Sequence, residues 1–155
     1  MLQLGHKNWW SLTWGHRHTR CKRRTAKYIV QNVKKISFYV CPLCGNVIQA
    51  VGQGAYSCCG ISLPVPEAEE TDEEHEIQIQ KQDNELYVTL EHPMTKDHYI
   101  SFIAFVSMDT AQLVKLYPEQ DAQSRFLQKG HGFVYAYCNR HGLKRFRVTP
   151  GSFSR

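Results

Sequence analysis

Four cysteines constrain this chain more than any other feature. They are Cys41-Pro-Leu-Cys44 and, after thirteen intervening residues, Cys58-Cys59. Two thiol pairs at this spacing can surround one tetrahedral ion. The segment that carries them, residues 37–63, is too short to bury a stable core without a metal or another staple. It alternates like two short strands around Gly52–Gly54. Gly45 after the first pair lets backbone N–H groups turn toward the sulfurs and stabilise their charge. The adjacent pair is unusual, because neighbouring side chains must both reach one ion. Bonding alone leaves zinc and iron open.

The 155 residues allow one ordinary domain or two small ones. The longest apolar stretch, "ISFIAFV", is far short of a membrane span. The N-terminal region is basic but has no apolar core or cleavage site of a secretory leader. Clustered cysteines without an export signal more often bind metal than form disulfides. The expectation is a cytoplasmic protein with no membrane partner.

The net charge of +5 is unevenly spread. Residues 1–36 hold nine Lys/Arg and no Asp/Glu, whereas residues 37–155 hold ten Lys/Arg and all fourteen acids, a balance of 10 − 14 = −4. The basic character therefore belongs to an N-terminal arm, residues 1–36. Ala26, Ile29, Val30 and Val33 recur at helical spacing, which predicts a short helix over about 24–36. A helix docked on the body outweighs nucleic-acid contact as a reading of the arm. Residues 64–74 are acidic and proline-bounded, a linker composition. From 75 to 149, "IQIQK" and "ELYVTL" alternate around a "QDN" turn. Further short runs follow in "HYISFIAFVSM", "QLVKLYP", "GFVYAYC" and "LKRFRV". Short strands at this spacing predict an antiparallel β-sandwich, with residues 150–155 as a tail.

A second constellation lies in that body. His92 and His98 flank "PMTKD", and Cys138-x-x-His141 follows a strand-like run. Three imidazoles and a thiolate at strand ends would suit another four-coordinate zinc site. Taken together, however, "CPLCGN…SCCG", "EEH", "HPMTKDHYI" and "YCNRHGL" resemble desulfoferrodoxin, the two-iron superoxide reductase, over about residues 37–149.

The resemblance implies a mainly β chain. A small desulforedoxin-like, metal-stapled domain would precede an immunoglobulin-like antiparallel β-sandwich of neelaredoxin type. It implies an Fe(Cys)4 centre on Cys41, Cys44, Cys58 and Cys59. It also implies an Fe(His)4(Cys) centre on His75, His92, His98, His141 and the axial Cys138. The implied reaction is one-electron reduction of superoxide to hydrogen peroxide, with the Fe(Cys)4 centre as an accessory electron-transfer site. The implied partners are a small electron-donor protein such as rubredoxin and a second copy in a homodimer. Five protein ligands leave one octahedral position open, so the metal can act as reductant. A thiolate supplies electron density to it, and a fifth protein ligand argues against structural zinc.

The sequence departs from the family just before the first histidine. Glu73 matches a glutamate that can close the sixth position, but Glu74 stands where the family has a lysine that attracts superoxide. Lys96, between two of the implied ligands, is the expected replacement cation, and Arg140 is the second candidate. Two other readings compete. One is a metal-stabilised, zinc-ribbon-like protein whose arm touches nucleic acid, and the other is an electron carrier using only the cysteine site.

Overall fold

The computed structural model describes residues 36–149 apart from positions 53 and 65. The helix expected over about 24–36 lies outside the described residues, except that Ile36 opens a strand. The C-terminal tail also lies outside them.

Ile36–Val40 (β1) and Val47–Val51 (β2) pair antiparallel, and Tyr56–Cys58 (β3) and Ile61–Leu63 (β4) form a second hairpin. The small unit therefore has four strands where its alternation suggested two. Its own buried cluster is only Tyr39, Cys41, Ala50 and Leu63. So slight a core fits a unit that needs a metal.

The rest is a sandwich of two sheets. The β6–β7 hairpin (Ile77–Gln82, Glu85–Leu90) is joined by Gln123–Leu127 (β10) into a three-stranded sheet of order β10-β7-β6. Ala68–Glu70 (β5), Ile100–Ser107 (β8), Ala111–Lys115 (β9), Gly132–Cys138 (β11) and Gly142–Val148 (β12) make the other, of order β5-β12-β11-β8-β9. Ile79, Leu86 and Val88 meet Ile103, Phe105, Val134 and Ala136 between the sheets. Strand alternation assigns these faces.

β8 is buried from Ile100 to Val106 because both its faces are covered. Ile103 and Phe105 enter the inter-sheet core, while Phe102, Ala104 and Val106 face a second cluster completed by Phe38 of β1. The Phe38 ring lies 5.2 Å from Phe102 and 5.5 Å from Tyr135. β1 thus seats the cysteine-rich unit on the outer face of the larger sheet. Lys115 adds a polar tie, its Nζ donating to Gly45 O at 2.8 Å.

Two strands were not legible in the sequence. β10 reads "QSRFL", and its inward residues are Ser124 and Phe126, so the apolar signal is a single side chain. β5 falls in the stretch with linker composition, yet it pairs parallel with β12. Its acidic residues face cations on that strand, with Glu69 on Lys144 and Glu70 on Arg145. No helix among the described residues is long and apolar enough to cross a membrane.

Gly132 is a tight point of the β11–β8 pairing. A Cβ there would lie 2.3 Å from Val106 O and 2.8 Å from Phe105 Cε2. Since the closer obstacle is backbone, Gly132→Ala is expected to cost about 2 kcal/mol. A thermal melt should show the midpoint falling by roughly 5 °C.

Candidate metal centres

The first centre is built by two turns. Cys41 follows β1, its N–H donates to Asn46 O at 2.9 Å, and Gly45, at φ +66°, donates back to Cys41 O at 2.9 Å. The second turn solves the problem of the adjacent pair. Cys58 ends β3, and Cys59 takes a left-handed conformation, φ +51°, ahead of Gly60 at φ +78°. The tight turn brings both sulfurs to one side, 3.8 Å apart. Cys44 Sγ lies 3.6 Å from Cys58 Sγ, and all four sulfurs fall within 4.8 Å of one another.

The thiols repel each other's deprotonation. Cys41 is lowered to about 7, chiefly by the backbone N–H of Cys44 and against the effect of burial. Cys59 is pushed up to about 12, first by the neighbouring Cys44 and then by Cys58 and Cys41. One thiolate forms readily and the last does not form at neutral pH unless a cation joins it. Such a set takes up metal with release of protons.

The second centre lies at one end of the sandwich. His75 closes a single 3-10 turn, Glu73–His75, before β6. His92 follows β7, His98 precedes β8, Cys138 ends β11 and His141 lies in the turn to β12. The residues reach one place because antiparallel strands bring these ends to the same edge. Val134, Ala136 and Cys138 alternate toward the core, and a register shift between Tyr137 and Cys138 ends the ladder there.

The loop that holds His92 and His98 is shaped by Met94. Its φ is +43°, its side chain is buried, its Sδ accepts the Ile100 N–H at 3.3 Å, and its carbonyl accepts Glu119 N–H at 2.8 Å. Thr95 and His98 then exchange backbone hydrogen bonds at 2.8 and 3.3 Å. Asn139 clamps this loop to the Cys138–His141 turn. Its Oδ1 accepts Tyr99 N–H at 3.0 Å and its Nδ2 donates to Asp97 O at 3.0 Å.

The four imidazoles close a cycle. Ring centroids are 5.3 Å apart for His75–His92, 4.4 Å for His92–His98, 4.8 Å for His98–His141 and 4.8 Å for His141–His75. Cys138 Sγ lies 3.6 Å from both His92 Nε2 and His141 Nδ1. His75 Nδ1 donates to Asp72 Oδ1 at 2.6 Å, so its Nε2 carries the lone pair, 3.0 Å from His141 Nδ1.

His92 is lowered to about 4, first by burial and then by the neighbouring imidazoles, so it is a neutral donor at pH 7. His98 is lowered as well, again chiefly by burial. The Nε2 of His98 and the Nδ1 of His92 are buried without a hydrogen-bond partner. Neutral imidazoles, a buried thiol and an unpartnered ring nitrogen suit a bound metal ion.

Besides Asp72, Glu74 brings a carboxylate to the edge of this cluster. Its Oε2 lies 4.0 Å from His141 Nδ1, and candidate donor atoms of Glu74, His75 and His141 lie within 4.8 Å of one another. Glu73 opens the 3-10 turn and lines a surface groove with Thr71, Asp72 and Glu76. Lys96 is exposed, with Nζ 3.8 Å from Glu119 Oε1. Arg140 donates from Nε to Asp97 O at 3.1 Å, and its charge is among the influences that lower His98. Sequence reasoning missed Asp72, Asn139, Lys115 and Lys144. Asn139 sits inside the "CNRH" run and Asp72 three residues before His75. The two lysines join through pairing that no local pattern reveals.

The family model described as Desulfoferrodoxin matches residues 62–146. A desulfoferrodoxin of Clostridium acetobutylicum is 37% identical over 117 residues, covering 70% of this chain and 93% of that one. A desulfoferrodoxin homolog of Archaeoglobus fulgidus is 32% identical over 114 residues, covering 68% and 91%. The crystal structure of the superoxide reductase from Treponema pallidum is similar in fold. Its TM-score is 0.65 at 20% identity, covering 73% of this chain and 98% of that one.

Proposed function

Since the chain belongs to the desulfoferrodoxin family, we propose that it is a superoxide reductase with iron at both donor clusters. The observation that carries this reading is the closed cycle of four imidazoles with a buried cysteine sulfur against it. Iron held there would supply the electron that, with two protons, turns superoxide into hydrogen peroxide. His75, His92, His98, His141 and Cys138 are the proposed ligands. His92 stays neutral at pH 7 because burial and its neighbours disfavour the imidazolium, so its lone pair is free to bind. Cys138 is fully buried, which keeps water from its sulfur. Cys41, Cys44, Cys58 and Cys59 would hold the second iron, passing electrons from a small donor protein. Glu73 is the proposed carboxylate beside the iron and Lys96 the steering cation expected from the sequence, while Arg140, bonded to Asp97 O beside His98, is the cation favoured on position. Glu74 competes with Glu73 on position.

The test is iron content together with peroxide yield from superoxide. Two irons per chain and stoichiometric peroxide are expected, whereas one tight zinc and no iron from iron-replete cells would overturn the reading. Cys58→Ser should remove or convert the cysteine centre alone and leave the sandwich iron in place. Its visible spectrum should lose the Fe(Cys)4 bands and keep the other, because no residue of the second cluster lies in the cysteine-rich unit.

A further inference from the structure

His75 differs from the other four donors in what holds it. It sits in a three-residue 3-10 turn whose N-cap, Asp72, makes no capping side-chain bond. That turn has little to fix it locally. What fixes it instead is a charge cluster around one buried lysine, Lys144. Lys144, on β12 and three residues after His141, is only 7% exposed at its side chain. Its Nζ lies 2.8 Å from Asp72 Oδ2 and 2.9 Å from Glu69 Oε2. Glu69 is the register partner of Lys144 in the parallel β5–β12 pair. Asp72 thus uses one oxygen for Lys144 and the other for His75 Nδ1, at 2.6 Å. With both oxygens engaged, neither the carboxylate nor the imidazole it faces can rotate freely.

Building on the proposed iron site, we propose that Asp72 and Lys144 are positioning residues for His75. They deliver its ring to the metal and set the charge behind it. Stability alone is a poor explanation for such a cluster. A lysine buried against carboxylates is often no better than an apolar residue of the same volume. A carboxylate on the far nitrogen of a ligating imidazole, by contrast, fixes the tautomer and raises the ligand's basicity. Lys144 stands on that carboxylate's other oxygen at 2.8 Å and places a positive charge beside it. The cluster also explains the strand in the acidic stretch: β5 carries Glu69 to Lys144, and the chain then reaches Asp72 two residues after the strand ends. A negative charge behind His75 stabilises the oxidised metal over the reduced one.

Three full-length variants test this, each loaded with iron. Asp72→Asn keeps shape and leaves the Lys144–Glu69 pair, so the fold should persist, with the Fe(Cys)4 spectrum as internal control. Its sandwich iron, titrated at its own visible band, should shift toward the reduced form by about tenfold at the wild-type midpoint, a rise of about 59 mV. Lys144→Met should lose the sandwich iron to a ferrous chelator about tenfold faster, and Lys144→Arg, which can bridge both carboxylates, should restore the wild-type rate. A shift below threefold in Asp72→Asn, or unchanged iron loss in Lys144→Met, overturns the inference while leaving the iron site standing. Wild-type protein that binds no iron at the sandwich cluster overturns both.

Discussion

Cys138→Ser is expected to lower the rate of peroxide formation from superoxide by about a hundredfold or more, and to abolish the long-wavelength absorption of the oxidised protein. Cys138 has no exposed surface and its sulfur touches two of the imidazoles at 3.6 Å. Serine is smaller by little, so Val134, Ala136 and the β11 ladder should stay in place. What changes is the donor. A thiolate is soft and forms near neutral pH beside a metal, while a hydroxyl is hard and stays protonated. The remaining imidazoles could still retain iron, so metal content should fall less than rate. Stopped-flow reduction of superoxide and the visible spectrum of the oxidised variant check this. A retained band would show that Cys138 is not bound to the iron.

How much of this was legible depends on the range of the interaction. Cys41, Cys44, Cys58 and Cys59 lie within one short segment, and their spacing alone brought them together on paper. The β6–β7 hairpin was equally local, with Asp83 in the left-handed conformation that its turn needs. His92 and His98 could be paired because one loop holds both. Cys138 and His141 could be set beside them only as another ligand-like pair at a strand end, and His75 could not be joined to them at all until the resemblance supplied it. β5 stayed hidden because its acids look like a solvated linker until the cations of β12 are placed beside them. Lys144 reads in sequence as one more exposed base of "LKRFRV". Its alternation within β12 gives no warning that it is buried between two carboxylates.

Glu74→Lys is expected to raise the second-order rate with superoxide by about tenfold at low salt, with the gain shrinking as salt is added. The substrate is an anion, and the exchange alters the local charge by two units. Glu74 stands 4.0 Å from His141 Nδ1 at the edge of the proposed iron site. At that range the bare Coulomb effect would be much larger. Its side chain is 77% exposed, however, so water and ions weaken the field severalfold. The two available cations should respond unequally. Lys96 is 78% exposed and shares its charge with Glu119 at 3.8 Å, which leaves little field for a third group. Arg140 is fixed by its bond to Asp97 O beside His98 and acts on that ring. Arg140→Ala should therefore slow capture more than Lys96→Ala and should flatten the salt dependence. Pulse radiolysis across a salt series measures all three variants. The opposite order for the two cations would return the steering role to Lys96. A rate that moves less than twofold in every variant would mean that capture is governed by access to the metal and not by charge at its rim.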